Sequence, residues 1–180
     1  MLSKRSATSY LPEFVYGATD GIITTFAVVM GAIGASLSST VIIILGFANL
    51  FADGFSMAVS NYLSTKSTIE LHSKHKDYAL VQRITKNPLK TALTTFMAFL
   101  IIGFIPLLSF VAAFLLPVLA KTQFTISVIL TALAFVIVGG IKGYVIGKHP
   151  MRAALETLLI GGIASAIAYG VGVYLHYLIV

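Results

Sequence analysis

Residues 91–119 read TALTTFMAFLIIGFIPLLSFVAAFLLPVL and contain no charged side chain. About 20 consecutive apolar residues suffice for a helix to cross the hydrocarbon core of a bilayer. Because hydrocarbon offers no hydrogen-bond partners, the backbone must satisfy its own polar groups, as a helix does locally. The stretch also lacks the alternation typical of a strand. It therefore predicts one spanning helix that is kinked at Pro106 rather than split, and that ends near Pro117.

The composition of the whole chain also favours a membrane environment. Hydrophobic residues occupy 58% of the 180 positions and charged residues only 10%, whereas a soluble domain has roughly a quarter charged residues. The mean hydropathy is +0.97. Too little polar surface remains to cover a water-soluble particle. Because the chain has no cysteine, disulfides and thiolate metal sites are excluded.

Five stretches have the length and hydropathy expected of spanning helices, with predicted bounds 14–35, 40–63, 91–119, 124–147 and 153–177. The sequence therefore predicts an all-α polytopic membrane protein that forms one domain over residues 1–180. Residues 64–88 are predicted to be a short cytoplasmic segment, whose first part could continue the second helix. The N-terminal residues lack a signal-peptide pattern, so we interpret the first stretch as a mature helix.

The basic side chains determine the predicted orientation. They precede the first span, occupy the segment between the second and third, and flank the turn between the fourth and fifth. Of the twelve Lys and Arg residues, only Lys121 lies on the other side. Because basic loops stay in the cytoplasm, the N-terminus is predicted to be cytoplasmic. This asymmetry and contact with anionic lipid explain the net charge of +6, so no nucleic-acid partner is expected.

Acidic residues inside the predicted spans are the strongest functional signal. Three of the six acids lie there, namely Asp20, Asp53 and Glu156, and Glu13 lies at the edge of the first span. On insertion scales a charge at a helix centre costs about 2.5–3.5 kcal/mol. Side chains with such a cost indicate a site with a function beyond packing.

Asp20 lies on a face of small residues in the first predicted helix. Gly17, Asp20, Gly21 and Thr24 share this face, because residues three and four apart are neighbours on a helix. One interpretation is a helix-packing face on which Asp20 is hydrogen-bonded to a neighbour. The other is a carboxylate that lines a cation path, which we favour because packing alone requires no acid.

A stripe of polar or metal-binding side chains follows the second predicted helix at four-residue spacing: Asn49, Asp53, Met57 and Asn61. Carboxylate, amide oxygen and thioether together suit a borderline divalent metal such as Fe(II) or Mn(II). A methionine is more often core filler, and an asparagine more often joins helices by hydrogen bonds. The shared register with Asp53 favours metal binding here.

Lys142 and Glu156 are predicted to meet across a short turn at His149 and Pro150. Counted from that turn, the two side chains lie at similar depth in antiparallel helices. We favour a structural ion pair over a role in proton transfer or gating.

The cytoplasmic segment contains Glu70, His72 and His75. The two histidines are three residues apart and can share a helix face, so transient metal capture together with Glu13 is one hypothesis. A solvated surface is the interpretation that we favour. No phosphate-binding loop, zinc-protease motif or catalytic triad is recognised, so neither a cofactor nor an enzymatic activity is expected.

Several motifs resemble those of one family of membrane proteins. They are DGIITTFAVVMG at 20–31, ANLFADGFSMA at 48–58, NYLS at 61–64, Asn87-Pro88 and GIKG at 140–143. These motifs resemble the vacuolar iron transporter family, over essentially the whole chain from Phe14 onward. The resemblance implies a five-helix protomer that forms a homodimer, with a metal path between the first two helices of both protomers.

The resemblance also implies a function. Family members move Fe(II), and often Mn(II), out of the cytosol, with proton exchange as the proposed driving force. The pore aspartate of the family falls on Asp20 and its pore methionine on Met57. The expected location is a microbial plasma membrane or a vacuole-type membrane. The alternative hypothesis is a non-transporting membrane scaffold, which should neutralise its buried acids.

Two positions depart from the family pattern. Asn49 stands where the best-known members have a glutamate, so we hypothesise that Asp53 supplies the missing charge. Plant-type members also insert a long cytoplasmic metal-binding domain after the second helix, and here the corresponding segment is short.

Overall fold

Long helices make up the observed architecture. The computed structural model describes residues 10–74 and 86–179, apart from the side chains of 72–74, and this part of the chain has no strand. Its six α-helices are α1 Leu11–Gly34, α2 Ser39–Lys74, α3 Pro88–Gly103, α4 Leu108–Leu115, α5 Gln123–Val145 and α6 Pro150–Ile179. Because α3 and α4 together form one apolar segment, five segments of the described chain can span a membrane. The predicted fold class is confirmed.

Local sequence signals explain where the helices begin. Prolines occupy the first turns of α1, α3 and α6, where the fixed φ and the missing N–H are tolerated. Asn87 caps α3, since its side-chain oxygen accepts hydrogen bonds from the backbone N–H groups of Leu89 (3.0 Å) and Lys90 (3.2 Å). α2 runs on to Lys74, so the first part of the 64–88 segment continues the second span.

The third span is interrupted at Pro106 rather than only kinked. α3 ends at Gly103, a 3₁₀ turn covers Ile105–Leu107, and α4 then follows. Proline lacks an N–H and its ring clashes with the preceding turn. The buried Ser127 of α5 donates a 2.6 Å hydrogen bond to the carbonyl oxygen of Pro106. The two helices still form one span, Pro88–Leu115, and the predicted kink takes the form of the less favoured alternative, a short break at the proline.

α1 is the central helix of the bundle and contacts α2, α3, α5 and α6. Its side chains Ala18, Ile22 and Val29 are completely buried. Since the other helices surround it, any group on α1 is positioned by several neighbours at once.

Glycines let α1 approach its neighbours backbone to backbone. A Cβ atom at Gly21 would lie 2.6 Å from the carbonyl oxygen of Phe99, and one at Gly17 would overlap the carbonyl oxygen of Thr95. In the other half of α1, a Cβ at Gly34 would overlap the backbone of α6. Gly17 and Gly21 of the small-residue face therefore pack against the backbone of α3.

α2 lies at the side of the bundle and packs against α1 and α3. Its buried face includes Leu50 and Gly54, which lies against Phe99 of α3. Its opposite face exposes Phe51 and Phe55. The side of α2 next to α1 holds the polar stripe described below.

Candidate metal site

Asp20 of α1 and Asp53 of α2 form an acidic pair where these two helices meet. Both side chains are partly buried, and they are close enough for their charges to repel. Neither carboxylate has a hydrogen-bond or ion-pair partner among the described residues. The remaining acids of residues 10–74 and 86–179 are paired with lysines: Glu13 with Lys86, Glu70 with Lys66 and Glu156 with Lys142.

A polar groove of about 310 Å³ opens beside the acidic pair, lined by Tyr16, Ser56, Met57, Ser60, Asn61 and Ser64. Tyr16 precedes Asp20 by about one helical turn, and Met57 follows Asp53 by about one turn. The inner end of the groove is therefore next to the two carboxylates. The lining side chains are all uncharged, so the groove offers hydroxyl, amide and thioether groups but no fixed charge.

The predicted stripe on α2 is present from Asn49 to Met57. Asn49 is partly buried, and its Nδ2 atom has no hydrogen-bond partner in the part of the chain described. Met57 is partly buried against the core. Asn61 lines the groove together with Met57, and its Nδ2 atom donates a 2.6 Å hydrogen bond to Thr95 Oγ1 on α3.

The Asn61–Thr95 hydrogen bond should hold α2 against α3 at the groove. Interhelical hydrogen bonds in membrane proteins contribute about 0.6 kcal/mol on average and up to about 1.7 kcal/mol. We expect a double-mutant cycle of Asn61→Leu and Thr95→Val, followed by reversible unfolding, to give a coupling energy in this range. A cycle of Asn61→Leu with Thr94→Val, on the neighbouring position of α3, should give almost none. Equal coupling in both cycles would contradict the contact.

Glu13, one candidate for metal capture, forms an ion pair with a residue that the sequence analysis did not connect to it. Lys86 Nζ lies 2.8 and 3.0 Å from the two carboxylate oxygens. The Tyr10 hydroxyl oxygen accepts a 3.2 Å hydrogen bond from the Asn87 N–H. These contacts hold the start of α1 against the start of α3. A metal ion at Glu13 would have to displace Lys86.

The remaining metal-capture candidates lie near the end of α2. Glu70 is exposed and 3.9 Å from Lys66. His72 belongs to α2, but its side chain lies outside the described part, as does all of His75. No group of three or more His, Asp or Glu side chains able to hold a metal ion is found within residues 10–74 and 86–179. Metal capture by this segment stays a prediction.

Lys142 and Glu156 lie together, as the sequence suggested, with Nζ and Oε1 3.8 Å apart. α5 and α6 are close neighbours here, because a Cβ at Gly139 would lie 2.8 Å from Ala154 Cα. The pair thus removes Glu156 from the acids available to a cation.

Comparison with known proteins agrees with the class of protein that these features suggest, an integral membrane transporter and not an enzyme. A model of the VIT family matches residues 11–80 and 69–173. Because the two matches together cover most of the chain, the protein belongs to the VIT family. The resemblance noted from the sequence motifs is confirmed.

Curated relatives align with most of the chain. The vacuolar iron transporter of Toxoplasma gondii is 26% identical, with 97% of this chain and 77% of the relative covered. Vacuolar iron transporter 1 of Arabidopsis thaliana is 27% identical, with 91% and 85% covered. Vacuolar iron transporter homolog 4 of the same plant is 32% identical, with 93% and 84% covered.

The alignments differ in length. The alignment with vacuolar iron transporter 1 is 217 positions long and so includes residues that this 180-residue chain lacks. The alignment with homolog 4 is only 173 positions long. The two family matches meet at residues 69–80, at the end of α2. These findings agree with a shortened segment after α2.

Proposed function

We propose that this protein moves Fe(II), Mn(II) or both out of the cytosol in exchange for protons, across a vacuole-type or microbial plasma membrane. The observation that supports this proposal is the Asp20–Asp53 pair, two neighbouring carboxylates in membrane-spanning helices without a cationic partner among the described residues. Ionisable groups at such depth typically mark ion pathways. The names of the relatives, vacuolar iron transporters, suggest the metal.

The contrast with the other acids argues against the rival hypothesis, a non-transporting scaffold. Glu13 and Glu156 each have a lysine partner, so this chain neutralises acids that serve the structure. A scaffold would have reason to neutralise Asp20 and Asp53 as well, since an unpaired charge in a bilayer is costly. A cation that binds between them would offset this cost during each transport cycle.

The proposed ligands are the carboxylates of Asp20 and Asp53, the thioether of Met57 and the amide oxygen of Asn49. Mn(II) prefers octahedral coordination by oxygen ligands, and a thioether favours softer ions. One protomer offers too few ligands for six-fold coordination, so water or a second protomer must supply the rest. We propose, as the resemblance to the family implies, a homodimer in which α1 and α2 of both protomers surround the metal.

The groove beside Met57 is the proposed entry route for the ion. Ser56, Ser60 and Ser64 offer hydroxyl groups on one side of α2, and Tyr16 lies on α1. Hydroxyl groups can replace water molecules around a cation without holding it tightly. The ion would therefore keep much of its hydration until it reaches the acidic pair.

Proton exchange follows from the chemistry of the same ligands. Carboxylates must be deprotonated to bind a metal, so metal and protons compete for Asp20 and Asp53. Protons that enter from the side with lower pH would release the metal there. Binding of either a metal ion or a proton would relieve the repulsion between the two carboxylates.

Flux measurements in proteoliposomes test this proposal. Purified protein would be reconstituted with a pH gradient, and uptake of Fe(II), Mn(II), Co(II) and Zn(II) would be compared with that of protein-free vesicles. We expect Fe(II) or Mn(II) flux that is coupled to opposite proton movement and slows when a protonophore collapses the gradient. No metal flux would contradict the transport function, and flux unaffected by the protonophore would contradict proton exchange.

Asp53→Asn tests whether this residue supplies the charge missing at Asn49. Loss of a group that only supports a metal ligand typically costs about 10–100-fold, so loss of a ligand should reduce Fe(II) or Mn(II) flux by at least as much. Adding Asn49→Glu to Asp53→Asn should restore part of the flux, because it returns a carboxylate to the same face of α2. Wild-type flux in Asp53→Asn would refute the assignment.

A further inference from the structure

Two basic side chains without an acidic partner lie at the turn between α5 and α6. Lys148 and Arg152 are exposed, and neither forms an ion pair within the described part of the protein. Other lysines at this end of the bundle are paired with acids: Lys66 with Glu70, Lys86 with Glu13 and Lys142 with Glu156. Lys90 on α3 is also unpaired, but the base four residues before it, Lys86, is paired with Glu13. The α5–α6 turn thus concentrates uncompensated positive charge.

Exposed apolar side chains are close to these two bases in sequence. Tyr144, Ile146 and Met151 are 81%, 52% and 61% exposed. The turn is compact, because the Lys148 N–H donates a 2.9 Å hydrogen bond to the Gly143 carbonyl oxygen. Basic and apolar groups therefore project from the same short segment.

The position of the α5–α6 turn relative to the membrane indicates which molecules contact it. It joins two helices that are long and apolar enough to span the bilayer, so it must lie at one membrane surface. Aromatic and apolar side chains at this depth insert among the upper parts of the acyl chains, and basic side chains attract anionic headgroups. A phospholipid can contact both kinds of side chain at once, whereas a soluble anion can contact only the basic ones.

We propose that Lys148 and Arg152 bind the phosphate of an anionic phospholipid headgroup, while Tyr144 and Met151 contact its acyl chains. The charges are complementary, since the turn itself contains no carboxylate and the nearest acid in the chain, Glu156, is paired with Lys142. This site is at the surface of the α5–α6 hairpin, separate from the Asp20–Asp53 pair on α1 and α2. It does not depend on the proposed metal transport.

Native mass spectrometry of the detergent-solubilised full chain tests this inference by titration with phosphatidylglycerol and, separately, phosphatidylcholine. Each basic side chain near an anionic membrane surface contributes a factor of about five in affinity. The variant with both Lys148→Ala and Arg152→Ala should therefore bind phosphatidylglycerol about 25-fold more weakly, with phosphatidylcholine binding unchanged. Lys148→Arg with Arg152→Lys should keep the wild-type affinity, and Lys121→Ala at the other end of the bundle is the matched control.

Each other outcome would overturn the inference. Equal phosphatidylglycerol affinity in the double-alanine variant and the wild type would exclude the site. A loss of about fivefold in Lys121→Ala, the share expected of any one basic side chain, would indicate a response to net charge only. Displacement of the lipid by glycerol 3-phosphate at similar concentration would assign the site to a soluble phosphate. Thermal unfolding would verify that each variant is folded, and Lys148→Gln with Arg152→Gln would replace a variant that is not.

Discussion

Asp20→Asn is expected to abolish Fe(II) and Mn(II) flux in proteoliposomes while the protein still folds. The substitution keeps the shape of the side chain and removes only its charge. Loss of a group that merely supports a ligand already costs about 10–100-fold in affinity or activity, so loss of a carboxylate ligand should bring flux close to that of empty vesicles. Stability should be equal or higher, because the substitution relieves the repulsion with Asp53 and removes an unpaired charge from the bilayer.

This combination of results separates the two functional hypotheses. In a scaffold, Asp20 would bond to another helix, so Asp20→Asn would lower stability and there would be no flux to lose. In a transporter, flux is lost and stability is kept. Glu156→Gln is the matched control, because it also removes one carboxylate, but one that is paired with Lys142 and so is not available to the cation. Wild-type flux in Asp20→Asn would refute the proposed metal site.

Gly17→Ala should produce the second large effect, on folding rather than on metal binding. The new Cβ would overlap the Thr95 carbonyl oxygen, which belongs to the backbone and cannot rotate away. α1 and α3 would have to separate, and overpacking of this kind typically costs about 1–3 kcal/mol. Reversible unfolding in mixed micelles would measure the loss.

The control for this prediction is a glycine with free space around it. A Cβ at Gly162 of α6 would have no atom within 4 Å, and alanine is a better helix former than glycine by about 1 kcal/mol. Gly162→Ala should therefore leave stability unchanged or raise it slightly. If both variants were equally stable, the close approach of α1 and α3 would be incorrect.

Much of the fold could be predicted because bilayer thickness fixes the length of a spanning helix. The five spans appear within a few residues of their expected starts, and α2 continues past the membrane as its polar end suggested. The break at Pro106 could not be decided in advance. Proline perturbs a helix in either case, and whether the helix divides depends on a partner such as Ser127, which comes from a different part of the chain.

In the candidate site, too, contacts between residues near each other in sequence could be predicted, and contacts between distant residues could not. Lys142 and Glu156 could be paired in advance because a short turn fixes the register of their helices. Glu13 and Lys86 are 73 positions apart, and their contact depends on how α1 packs against α3. The glycine spacing around Asp20 predicted a close neighbour, but it could not identify α3 as that neighbour. Asp20 and Asp53 were recognisable because charge in an apolar stretch is conspicuous without any knowledge of packing.

α1 packs tightly between α3 and α6, and this packing limits the conformational changes open to the protein. With peptide groups of neighbouring helices in contact at Gly17, Gly21 and Gly34, α1 has no clearance to tilt on its own. Within one protomer α2 packs against α1, α3 and α4 and leaves its opposite face exposed, so we expect it to be the partner of the acidic pair that moves. Separation of Asp20 from Asp53 would then come from displacement of α2, with the rest of the bundle acting as a fixed frame.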